Sequence, residues 1–154
     1  MDAETLHMVE AIAWWRLQLP DGRGALSRAA TDLIVAGKDG AGVLEMASVY
    51  PDESGATIDR IVENVILELD LVPALLTGNE VLAVRRMCRM VLADLMAERE
   101  LSGWVHSSFH HQSDDERLNE LALLDDEYDD VDARGSQAGE LRRRIRDLAQ
   151  QILE

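Results

Sequence analysis

The chain has 154 residues, 15 of them Lys or Arg and 30 Asp or Glu, for a formal net charge of −15. Its 47% apolar content is enough for a core and too much for a wholly disordered protein. The acidity argues against coating nucleic acid or docking on anionic lipid, since both need clustered positive charge. The single cysteine, Cys88, excludes an intramolecular disulfide and a cysteine-based zinc site.

Apolar spacing is helical almost throughout, and aromatics, at 4%, are too few for a strand-rich fold. A first helix is predicted over about Ala3–Leu19, with Leu6, Val9, Ile12, Ala13 and Leu17 on one face. The adjacent Trp14 and Trp15 point about 100° apart on a helix, so one can be core while the other sits at the edge. Pro20, Asp21 and Gly22 make a turn. A second helix, about Gly24–Ala36, buries Leu26, Ala29, Ala30, Leu33 and Ile34, and Gly37 ends it by taking the left-handed conformation. Asp39 and Gly40 open a short third helix with Val43, Leu44, Met46 and Ala47 inside, closed by Tyr50 and Pro51. After a loop over Pro51–Gly55, the fourth helix, about Ser54–Leu71, carries the strongest stripe: Ile58, Ile61, Val62, Val65, Ile66, Leu69 and Val72. Pro73 ends or kinks it.

Thr77 and Glu80 have the form of a capping box, opening a fifth helix that runs to about Glu100. Its buried face is expected to be Val81, Val84, Met87, Cys88, Val91, Leu92 and Leu95. The pattern weakens from Trp104 to Gln112. Ser113 and Glu116 form a second potential capping box, opening a helix over about Asp115–Leu124 that leads into a very acidic run. Ala133–Ser136 reads as a loop, and a last helix, about Gln137–Leu153, buries Leu141, Ile145, Leu148, Ala149 and Ile152. No internal repeat occurs. The expectation is a single all-α domain over residues 1–154, a compact bundle of about six or seven helices.

Met1-Asp2-Ala3-Glu4 lacks the basic start of a secretory signal, and the best membrane candidate, Val62–Leu76, is interrupted by Glu63, Glu68 and Asp70. A cytoplasmic location follows by default. Lys38 is the only lysine, a bias expected of a GC-rich bacterial genome.

His106, His110 and His111 lie beside Asp114, Asp115 and Glu116, residue types that ligate zinc-like ions. On a helix, His106 and His110 would share a face. Ser107 and Ser108 stand where a His-Glu-x-x-His motif needs its glutamate, so these two are weak metal candidates, and neither a metal nor any other cofactor is expected. Cys88 lies on an apolar stripe, where a cysteine is a small inert hydrophobe. No nucleophile elbow or phosphate loop is present, and no residue is assigned a catalytic role.

Charge distribution is the unusual feature. Residues 114–132 hold ten acidic groups and one basic one, Arg117, while Arg142, Arg143, Arg144 and Arg146 cluster on the last helix. Asp125, Asp126, Glu127, Asp129, Asp130 and Asp132 are the candidate partner-binding residues for a basic protein. Alternatively the arginines neutralise the run internally, or it is a solvated surface.

The run Leu33-Ile34-Val35-Ala36-Gly37-Lys38-Asp39, then Leu44-Glu45-Met46-Ala47-Ser48, resembles a helix–Gly–x–Asp–helix pattern of small acidic actinobacterial-type proteins without assigned chemistry. Leu121–Asp130 is similar to a tail in the same group. That resemblance implies a small all-helical bacterial protein, some of whose relatives are similar to toxin-immunity proteins, and it transfers no functional residue. The expected function is therefore a non-enzymatic, acidic protein-binding module, such as an immunity or inhibitor protein for a basic toxin. The alternatives are a structural or regulatory homo-oligomer and, behind it, a His/carboxylate metal-binding hydrolase.

Overall fold

The computed structural model describes residues 1–134 and 138–154, and the side chains of all of these except 132–134. The described residues form nine helices and no strand: α1 (Ala3–Arg16), α2 (Gly22–Val35), α3 (Ala41–Ala47), α4 (Gly55–Glu68), α5 (Val72–Leu75), α6 (Asn79–Leu92), α7 (Glu98–Phe109), α8 (Glu116–Arg134) and α9 (Ala138–Leu153). The all-α class is as expected, with more helices than the six or seven inferred. No helix among the described residues is long and apolar enough to cross a membrane. The chain divides into two compact units, Met1–Ala83 and Val84–Glu154.

In the first unit, α1 packs on α2, α2 on α3, and α3 on α4. Asp2 caps α1 by accepting from the Thr5 N–H at 2.8 Å, and Lys38 reaches the same carboxylate. Lys38 also donates to Thr5 Oγ1 at 2.7 Å. These partners, Lys38 first, hold the Asp2 carboxyl well below the usual range. The single apolar face expected of α1 is too narrow. Met8, Val9, Ala11, Ile12, Ala13 and Trp14 are all buried, while Leu6 and Leu17 are only half-buried. A helix apolar all round is one enclosed on all sides. Trp14 is the core tryptophan and donates to Pro20 O at 2.8 Å. Trp15 sits at the edge, donating to Asp59 at 2.8 Å under the Arg23 guanidinium.

Helix α4 buries Ile58, Ile61, Val62, Val65 and Ile66 as expected. It ends at Glu68, so Leu69 is only half-buried and Val72 is exposed, beginning the one-turn α5 that contains Pro73. The Glu68 carboxylate accepts from the N–H groups of Gly42 (2.8 Å) and Val43 (3.3 Å), placing a negative charge at the start of α3. A Cβ on Gly42 would lie 3.3 Å from the Val65 nitrogen, so glycine permits this close approach of α3 to α4.

In the second unit, α7 packs on α8 and α9, and α8 packs on α9. The five residues expected to be buried on α9 are buried. The helix predicted to run to Glu100 instead stops at Leu92, and Leu95 is 74% exposed. Asp94 breaks it, with φ +59°, and the Leu95 N–H donates back to Met90 O at 2.8 Å. Val81 and Leu92 are half-buried, while Val84, Met87, Cys88 and Val91 are buried as expected. The Thr77 capping box gives way to a helix starting at Asn79, with Gly78 O accepting from Leu82 N–H. The stretch Trp104–Gln112 is helical as far as Phe109, and α8 continues through the acidic run to Arg134. The expected loop therefore excludes Ala133 and Arg134; Gly135, Ser136 and the predicted helix start at Gln137 lie outside the described residues.

Two stability outcomes follow, both read from urea midpoints. Ile61→Ala or Leu121→Ala should each cost about 2–5 kcal/mol, as for other filled core sites, whereas Leu67→Ala, at an exposed position, should stay within about 0.5 kcal/mol. Asp70, at φ +54°, ends α4 in the left-handed region. Asp70→Gly should stabilise by about 0.5–1 kcal/mol, the left-handed penalty less the added chain entropy.

Candidate functional site

Helix α7 ends because His110 leaves the helical path. Its φ is +57°, its N–H donates to His106 O at 2.9 Å, and His111 follows at φ +84°. Two successive left-handed residues reverse the chain. The turn into α8 is then fixed by Asn119, which accepts from Ser113 N–H and donates to Ser113 O, both at 2.9 Å. The Ser113–Glu116 capping box is replaced by Asp115, which accepts from Arg117 N–H and from the Arg117 guanidinium. Those contacts, the guanidinium's first, lower the Asp115 pKa.

The reversal overturns the expected histidine pair. His106 and His110 do not share a helix face, because the helix does not continue to His110. His111 instead folds back, its ring centroid 4.7 Å from that of His106. Asp125 and Asp126 on α8 meet these rings. His106 Nδ1 lies 2.8 Å from Asp125 and 3.7 Å from Asp126, and His111 Nε2 lies 3.1 Å from Asp126. Ligand atoms of His106, His111 and Asp126 all lie within 4.8 Å of one another. The sequence offered the residue types, but not the fold-back that selects His111 over His110.

The remaining candidate carboxylates also have places. Glu127 accepts from Arg144 at 2.9 Å, and Asp129 pairs with Arg99 at 3.3 Å. Asp130 is exposed on α8. The Asp132 side chain lies outside the described residues. Among the described residues, Arg144 is the one of the four C-terminal arginines that pairs with the acidic run. Arg143 pairs with Glu140 on its own helix. Arg146 donates to the Val91 and Leu92 carbonyls and pairs with Asp94 and Glu98, closing the end of α6. Arg142 is exposed.

Asp125 raises the His106 pKa above its ordinary value, outweighing the opposing effect of burial. Raised in the folded state, this group stabilises the fold fully below the unfolded histidine value, and the contribution disappears as pH rises through the folded value. Asp125→Asn should therefore lower the urea midpoint more at about pH 6 than at about pH 9 in metal-free buffer. An equal loss at both would show that the pair carries no charge-dependent stabilisation.

Comparison of the chain with protein-family models, with curated proteins and with solved structures finds no match.

Proposed function

We propose that the chain is a non-enzymatic docking module for a basic protein, with α8 as its binding face. The supporting observation is the outward row Glu116, Glu120, Leu123, Glu127 and Asp130, all exposed. Steps of four and three residues keep the row on one helix face, about 21 Å long at 1.5 Å per residue. Leu123, 54% exposed, sits in the middle of these carboxylates. An apolar anchor within a charged rim is the usual anatomy of a protein interface. The carboxylates would steer a basic partner into register, and the leucine would supply contact once the partner is seated. An inhibitor or immunity protein that covers the active site of a basic toxin is the most concrete form of this reading.

The internal pairing of Asp125, Asp126, Glu127 and Asp129 decides how to test it, because neutralising them would break contacts within the protein as well as any with a partner. Glu116→Gln, Glu120→Gln and Asp130→Asn combined, and Leu123→Ala alone, leave those pairs in place. Immobilised wild-type protein should retain a basic polypeptide from the producing cells. For the purified pair, the triple variant should associate about tenfold more slowly at low salt. The difference should shrink as salt rises past the point where screening sets in at about 8 Å. Leu123→Ala should mainly speed dissociation. Unchanged binding by both variants would overturn the docking face. Self-association of the wild type, lost in Leu123→Ala by light scattering, would favour a homo-oligomer instead.

A further inference from the structure

The turn between α7 and α8 joins two imidazoles and a carboxylate that the docking row does not use. We propose that His106, His111 and Asp126 form a binding site for a zinc-class divalent transition-metal ion, with Asp125 beside them. His106 comes from the last turns of α7, His111 from the reversed chain after it, and Asp126 from the middle of α8. The Asp126 carboxylate spans the two rings, at 3.1 Å from His111 Nε2 and 3.7 Å from His106 Nδ1. Two ligands on a tetrahedral zinc ion at about 2.1 Å stand about 3.4 Å apart. The 4.8 Å outer limit of this group must close by roughly 1 Å or a little more, through rotation of side chains that are partly open to solvent.

Asp125 lies 2.8 Å from His106 Nδ1, a hydrogen bond that a metal taken up at that nitrogen would displace, leaving the Asp125 carboxylate beside the ion to add a fourth oxygen. Nitrogen donors on both sides of one carboxylate favour zinc and similar ions over calcium or magnesium, which take oxygen ligands. Three protein ligands leave a coordination position for water or for a group brought by another molecule. Bound metal would fasten α7 to α8 through three segments of chain. The exposed Glu116, Glu120 and Asp130 take no part, so this proposal is independent of the docking reading.

The test uses the purified full chain, stripped with chelator and titrated with zinc chloride near neutral pH, by calorimetry and by equilibrium dialysis. Wild type should bind one zinc ion per chain and melt at a higher temperature with zinc than without. His111→Asn and Asp126→Asn should each weaken binding by about tenfold or more. Their zinc-free melting curves should stay close to wild type, since both side chains are exposed. His110→Asn, next in sequence yet outside the group, should bind as wild type does, and millimolar magnesium should not displace the zinc. The proposal fails if binding is not saturable or if His111→Asn and Asp126→Asn bind like wild type. It fails equally if His110→Asn loses as much affinity, or if magnesium competes, since either result would mark diffuse attraction to an acidic surface.

Discussion

A helix cut short leaves its last carbonyls without intrahelical donors, and this chain of short helices meets that demand repeatedly. Four helices end the same way. Gln18, Gly37, Asp70 and Asp94 take positive φ one residue past the cap. In each case the next residue's N–H turns back: Leu19 to Trp14 O, Lys38 to Leu33 O, Leu71 to Ile66 O, and Leu95 to Met90 O. This is the paired hydrogen-bond pattern of a Schellman ending. Where further carbonyls remain, arginines supply donors. Arg146 serves the end of α6, and Arg85 and Arg117 serve Ile152 O and Gln151 O at the end of α9. The left-handed His110 that ends α7 belongs to the same set of devices, and the histidine–carboxylate group exists because of it. Without that reversal His111 would not face His106.

The acidic excess is partly consumed at the opposite ends of the helices. Asp2 caps α1, Glu68 caps α3 from across the helix pair, and Asp115 caps α8. Negative charge is favourable there because the first N–H groups are unpaired and the helix dipole is positive. Along α8, Asp125 and Asp126 face His106 and His111, Glu127 meets Arg144, and Asp129 meets Arg99. The run thus repels itself less than its composition implies, and it holds a helix that continues to Arg134.

How far the sequence could be read follows from which signals are local. The stripes of α4 and α9 repeat at helical spacing, so their buried residues were legible. Gly37 was legible as a stop because only glycine enters the left-handed region without a side-chain penalty. Asp70 and Asp94 end helices with the same geometry but carry no such mark. The apolar pattern around Asp94 continues through Leu95, which is why the helix was extended too far. In α1 the burial of every face removes the periodicity on which such a reading depends. In the candidate site, the residue types were visible in the chain, but the pairing was not. Spacing alone joined His106 to His110 on an unbroken helix, whereas two consecutive positive-φ residues bring His111 there instead.

Helix geometry also separates the two activities proposed for α8. At about 100° per residue, Asp125, two residues after Leu123, lies about 160° around the axis from it, and Asp126, three after, lies about 60° to the same side. Glu120 and Glu127, three before and four after Leu123, lie about 60° and about 40° from it on the other side. The carboxylates facing the histidines therefore lie on the side of Leu123 away from Glu120 and Glu127, with Asp126 bordering the outer row at Asp130. The two sides have different physics. The histidine side consists of short contacts between partly covered groups, which salt screens weakly, while the outer row is exposed and strongly screened. High salt should therefore weaken long-range attraction to a basic partner while leaving the fastening of α7 to α8 largely in place. The face presented to a partner would then be held by interactions that the docking charges do not themselves supply.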